Sequence, residues 1–219
     1  MADGKYGQQG ITDDTSPFNA TEFQIRSALA NVRTSVPVKI IAVHGGGVGA
    51  PPTVDVQVIA NQMDGIGDQT PHGIIYGIPA TRTQGGLSAI INDPKVGDTG
   101  FMSVADRDIS AIKANDGEQS NPGSFRRHSL ADGVYMAGML NPTNPDQYVF
   151  FRDDGVTIAD KNGNVISMDA GGNINVTGTL RVTGDVIAGV GGGSVSLLNH
   201  LHGGVIAGGD NTDSPVPGT

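Results

Sequence analysis

The chain has no cysteine and no tryptophan among its 219 residues. Without cysteine there is no disulfide framework, no zinc knuckle and no thiol nucleophile. Aromatic residues make up 5% of the chain. Such a chain buries less area per residue than an ordinary globular domain. Basic residues are also scarce, 13 Lys and Arg against 22 Asp and Glu, for a formal net charge of −9. A nucleic-acid partner is therefore not expected, since tracking phosphates needs clustered cations. No run approaches eighteen consecutive apolar residues, so we expect no membrane-spanning helix. The opening MADGKYGQQG has no apolar centre and does not read as a secretory signal. Synthesis as a soluble cytoplasmic product is the expectation.

Glycine is what the chain has in excess, 34 of 219 residues, about twice the ordinary share of ~7%. Glycine-rich segments with few aromatics need help to stay folded, and oligomerisation supplies it.

Residues 1–34 read as a polar, mobile lead-in followed by a helix. Asn19 and Glu22 fit a capping box. Ile25, Ala28, Leu29 and Val32 follow the i, i+3, i+4, i+7 pattern of a helix over about 20–33. Residues 35–112 change to short strands, Val36–Val43, Thr53–Ile59, Gly73–Ile78 and Leu87–Ile91, with another in VGDTGFMSVADRDI, each bounded by turn residues. So many strands in so short a span suggest a small Greek-key barrel of the OB-fold kind. Residues 113–147 read as a connecting region, irregular over 113–127 and apolar again in RRHSLADGVYMAGML. The prolines of NPTNPDQ mark a boundary.

Residues 148–195 differ. Apolar pairs recur at Val156/Ile158, Val165/Ser167, Ile174/Val176, Leu180/Val182 and Val186/Ala188, with DDG, KNGN, AGGN, TGT and TGD between them. Strands this short offer two side chains each, too little to offset about 1–2 kcal/mol of backbone entropy per residue. Three chains wound about one axis would solve the problem, each strand finding an edge on a neighbour. We therefore expect an all-β protein in which helix and barrel precede an intertwined trimeric β-helix or β-prism needle.

Residues 196–219 form the expected apex. In a strand His200 and His202 point the same way. One chain supplies two imidazoles; a homotrimer brings six to the threefold axis, an octahedral all-nitrogen set. Zinc prefers four tetrahedral ligands; six nitrogens suit Fe(II), with Ni(II) or Co(II) able to take its place in vitro, and the expected occupant is one Fe ion per trimer. With every position filled by protein the site would be structural, clamping a tip too narrow for a core.

Enzyme readings fail on their own residues. HGGGVGAPP (His44 to Pro52) contains the HGGG of lipase oxyanion holes, but no G-x-S-x-G supplies a nucleophile. Gly45, Gly47 and Ala50 fit G-x-G-x-x-A, yet Pro51 and Pro52 stand where a phosphate-binding helix should continue. Asp160, Asn162 and Asn164 resemble the start of a calcium loop but lack its glycine and closing Glu, so KNGN reads as a turn. Asp153 and Asp154 are adjacent, on opposite faces if in a strand, and do not read as a glycosidase pair. No catalytic or cofactor-binding residue is expected.

Three stretches carry a resemblance. SALANVRTSVPVKIIAV, RRHSLADGVYMAGM and NHLHGG…SPVPGT resemble the central spike, or membrane-piercing, proteins of contractile-tailed bacteriophage baseplates, in the baseplate assembly protein V group. The resemblance implies a trimeric OB-fold collar attached to the baseplate hub and tail tube, a β-helical needle, and iron at its point held by His200 and His202. It also implies a place at the baseplate tip of the virion and a non-catalytic role, driven mechanically through the host outer membrane when the sheath contracts. The rival reading is a trimeric receptor- or glycan-binding tail fibre module, which would want exposed aromatics near the apex; none follows Val190. For Arg126, Arg127 and His128 two readings stand, carboxylate pairing at a trimer interface or an exposed basic cluster.

Overall fold

In the computed structural model the described residues are 9–63, 67–138, 141, 143–189 and 195–199. They are mostly β and divide into two compact units, 1–143 and 144–219.

Unit 1 begins with α1 (Pro17–Leu29), and its start differs from the expected capping box. Ser16 is the N-cap, its hydroxyl accepting from the Asn19 amide at 3.2 Å, with Pro17 in the first helical turn. Proline suits that position because its missing N–H would have been unpaired anyway. Asn19 lies inside the helix and donates its side-chain amide to the Thr12 carbonyl and Thr15 Oγ1, both at 2.9 Å. The helix ends at Leu29, short of the expected 33. No residue of α1 is buried.

Five strands follow: β1 (Ser35–His44), β2 (Thr53–Val58), β3 (Ile74–Pro79), β4 (Thr99–Val104) and β5 (Gly133–Ala137). They form one antiparallel sheet in the order β3-β2-β1-β4-β5. The ends of this order meet through a parallel bridge, Ala80 to Tyr135, and a Thr81 N–H to Tyr135 carbonyl bond of 2.9 Å. The sheet is thus curled until its edges touch. Alternation in TVDVQV sends Val54, Val56 and Val58 inward; Val38, Ile40, Ile78, Met102, Val104 and Tyr135 complete the core. Gly100 makes room for the Tyr135 ring, whose carbons would lie 2.6 and 2.8 Å from an added Cβ.

The strand β5 falls in the stretch expected to be a connecting region, and the division between units lies at 143/144 rather than at 148. Leu87–Ile91 does not join the sheet. Ser88–Ile90 pairs with Thr83–Gly85 as a separate exposed hairpin, as Gln62–Met63 does with Gln69–Thr70.

Unit 2 contains β6 (Tyr148–Arg152), β7 (Gly155–Ala159), β8 (Val165–Met168) and β9 (Ile174–Thr177), an antiparallel meander in sequence order. Beyond it β10 (Ile187–Ala188) pairs with β11 (Val195–Ser196). Four of the five expected apolar pairs lie wholly or in part in strands; Leu180/Val182 does not. Within one chain these strands pair with each other as a meander. Asp153 and Asp154 make the turn between β6 and β7 instead of lying in a strand.

The turns of the meander repeat one device. The Asp160 carboxylate accepts from the amides of Asn162 (2.8 Å) and Asn164 (2.9 Å). Nine residues on, Asp169 accepts from Gly171 (2.9 Å) and Asn173 (3.1 Å). Gly163 takes φ of 85° in the first turn, a left-handed conformation that favours glycine. These carboxylate oxygens serve backbone amides, so the Asp160 segment is a turn, as its composition suggests.

Candidate functional site: an uncovered apolar sheet leading to the apex

The register of unit 2 decides which side chains share a face. Val149 stands opposite Ile158, Ile158 opposite Ile166, and Ile166 opposite Val176. The next column is Phe151, Val156, Met168 and Ile174. Side chains two apart share a face, so these eight form one apolar surface. The columns behind are more polar, one running Phe150, Thr157, Ser167 and Asn175. No residue described in unit 2 is buried, and Phe151 and Ile174 are 77% and 67% exposed. Covering such a face, at about 1.5–3 kcal/mol for each side chain taken fully from water, would contribute on the order of 10 kcal/mol.

Towards the C-terminus, Asp185 organises the last described turn. Its carboxylate accepts from the Ser196 hydroxyl and from the Leu198 amide at 2.9 Å. The Leu197 amide returns to the Val186 carbonyl at 2.8 Å, and the Asn199 amide to Ser196 Oγ at 2.8 Å. The Ser196 hydrogen bond, then that of Leu198, holds the Asp185 carboxyl below its ordinary range. Leu180, Val182, Gly184, Val186, Leu197 and Leu198 line an open groove around it. His200 and His202 lie outside the described residues, so the geometry of the expected metal site does too. Among the described residues no three His, Cys, Asp or Glu side chains converge as metal ligands.

Residues 194–216 match the family described as the GpV Apex motif, the apex of phage baseplate central spikes. The chain carries a GpV-type spike apex. Such an apex has a structural role at the baseplate of the virion tail, and the match to it spans 23 of the 219 residues. No curated protein matches the chain.

The remaining singled-out residues belong to the frame of unit 1. Arg126, Arg127 and His128 part company. The Arg126 guanidinium grips Asp132 through Nε and Nη2, both 2.7 Å, and Asp108 through Nη2 at 2.8 Å. Both carboxylates are buried within the same chain. Asp108 also accepts from Ser124 Oγ (2.7 Å) and the Ser110 amide (2.9 Å); hydrogen bonds from Ser110 and Ser124 hold its carboxyl far below the usual range. His128, at φ of 50°, has Nδ1 3.0 Å from the Arg33 carbonyl. Arg127 points out and makes no ion pair among the described residues. The cluster is therefore two inward clamps and one free cation, not a wholly exposed patch.

The glycine loop after β1 wraps a cation that sequence reading passed over. Arg82 donates to the carbonyls of Gly49 (2.6 Å), Gly47 (2.8 Å) and Ala50 (3.3 Å) and lies 3.5 Å from Asp93. The Gly47 amide donates to Asp93 Oδ2 at 2.5 Å. Gly46 is required here: φ is 107°, and a Cβ would press on Asp93 Oδ2 at 2.6 Å. Carbonyls directed at a guanidinium cannot stabilise an oxyanion, so the loop serves the frame.

Proposed function

We propose that three copies of this chain assemble into a rigid, non-catalytic spike that sheath contraction drives through the host outer membrane. The observation that carries this reading is the uncovered eight-residue apolar face of unit 2, in a segment that leads into the apex motif. A monomer leaves that face in water. Three copies enclose it about a common axis and turn many short ladders into one body that resists axial force. The curled sheet of β1–β5, with edges meeting at Ala80 and Tyr135, supports an OB-fold-like collar, which attaches to the baseplate hub and tail tube. No described helix is long and apolar enough to cross a membrane, in keeping with passage by force.

At the tip, His200 and His202 of three chains provide six imidazoles, a donor set that fits one Fe ion on the axis. The ion would tie three chain ends together where side chains are too few to form a core. The experiment is sedimentation combined with elemental analysis. The expected result is a mass of three chains with one iron. A single-chain mass at every concentration overturns the spike. Replacing both His200 and His202 by Ala should remove the metal and leave unit 1 folded; unchanged metal content overturns the site.

A further inference from the structure

Two surfaces of unit 1 are complementary, and each exposes large apolar side chains. The first is α1. Phe18, Glu22, Ile25 and Leu29 follow the i, i+4, i+7, i+11 spacing of one helical face. Phe18, Ile25 and Leu29 are 75%, 54% and 63% exposed. Glu22 is the only acid in the helix and makes no ion pair among the described residues. A 13-residue helix with nothing buried is marginal in water and needs a partner to hold it.

The second surface is the loop over 122–127. Phe125 is fully exposed. It lines an open pocket with Pro122, Arg107, Arg126 and Arg127. Among the described residues Arg127 makes no ion pair, and Arg107 makes one, a 3.5 Å contact with the exposed Asp106. This aromatic knob stands on the Asp108–Arg126–Asp132 clamp described above. Desolvating two carboxylates and tying them to one guanidinium is costly and weak as a source of stability; what it does here is anchor the loop at Arg126, the residue next to Phe125. The His128 bond to Arg33 sets the loop beside the segment joining α1 to β1, at the end of unit 1 where β1 begins.

We propose that α1 of one copy docks on the Phe125 loop of a neighbouring copy. Phe125 inserts into the apolar stripe between Phe18 and Leu29, and Arg127, with Arg107 beside it, meets Glu22. The match is in both chemistries: an apolar stripe carrying one carboxylate against one aromatic flanked by two guanidiniums. The contact is head to tail, so repetition about a threefold closes a ring. Phe125 supplies most of the affinity, because exposed ion pairs contribute little; Glu22 and Arg127 set the register. The inference rests on the proposed assembly of three copies and adds the contact that joins their collars.

The chain contains no cysteine, which makes the test direct. In the full chain, Glu22→Cys and Arg127→Cys together, which leave Phe125 in place, should oxidise to disulfide-linked multimers ending at three, while each single variant should not form that ladder. An intrachain disulfide instead would mean that the helix folds on its own loop, and overturns the proposal. Independently, amide exchange across α1 should be slow in the native assembly and at least tenfold faster in Arg127→Glu. Adding Glu22→Arg to Arg127→Glu should restore protection, a rescue that a merely unfolded loop would not give. Three-chain mass with α1 exchanging equally fast in native and Arg127→Glu protein overturns this contact and leaves the spike reading standing. A single-chain mass removes both.

Discussion

Unit 1 and unit 2 are both made of short antiparallel strands, and both have enough apolar residues for a core. In unit 1 the sheet curls until β3 reaches β5, and Val38, Ile40, Val54, Val56, Ile78 and Met102 lose all contact with water. In unit 2 the sheet stays an open meander, and an apolar face of similar size encloses nothing. The difference lies in the connections. Long excursions in unit 1 bring non-sequential strands together; turns of two to five residues in unit 2 permit only a ribbon of neighbours. A ribbon has no second layer of its own, and two layers are the minimum for a core. On the proposed reading, other copies of the chain supply the layer that this segment lacks.

The comparison breaks most visibly if a charge is placed on the open face. Ile166→Asp should leave unit 1 intact and abolish assembly through unit 2, because three buried carboxylates would converge where apolar side chains are expected. Sedimentation checks the loss of mass, and amide exchange checks that β1–β5 keep their protection. Retention of the full assembled mass would mean that the face is not the interface. The converse variant is Ile40→Ala, at a site with no exposure. It should cost about 2–5 kcal/mol, confined to the thermal transition of unit 1, while assembly through unit 2 persists. Two separate calorimetric transitions, with only one moved, would sharpen the division.

Much of unit 1 is legible in its residues. The alternation of TVDVQV and the valines and isoleucines flanking it mark β1–β3 because one face of each strand is buried inside a single chain. The misses have physical causes. Ser16 and Pro17 start α1 by a hydroxyl cap and a preset φ, a stronger signal than the Asn19/Glu22 pair that competes with it. β5 hides in GVYMA because it pairs with β4 across a 28-residue excursion, and no local pattern reports a long-range ladder. Arg82 and Asp93 have no signature at all: Arg82 reaches backbone carbonyls, and Asp93 a backbone amide, of a loop more than thirty residues away. In unit 2 the turns and strand pairs are legible at nine-residue spacing because Asp160 and Asp169 close them locally. What covers the face is not written in one chain's ladders. His200 and His202 are legible only as a spacing, given weight by the apex motif around them.

A more local effect probes the clamp under Phe125. Arg126→Gln removes a charge that faces two buried carboxylates and should loosen residues 113–128 without moving β1–β4. Limited proteolysis should cut the loop faster in this variant, while unit 2 is unaffected. Equal cutting rates would show that Ser110 and Ser124 alone hold Asp108.

The smallest effect concerns the turns that space the strands of unit 2. The Asn164 side chain and then its amide, with Asn162, hold the Asp160 carboxyl at about 2, below its ordinary 3.8. A carboxyl lowered in the folded chain binds protons more weakly there than when unfolded. Its contribution is therefore present in full above about pH 4 and is lost as pH falls toward 2. Asp169 is lowered in the same sense by Asn173. Asp160→Asn should remove the pH dependence of the Asn162 and Asn164 amides between pH 4 and 2, because the amide oxygen that replaces the carboxylate does not titrate. The check is a chemical-shift titration of those two amides. Identical titration curves in native and Asp160→Asn protein would show that Asp160 does not hold the turn, and the strand spacing of unit 2 would then rest on Gly163 and the ladders alone.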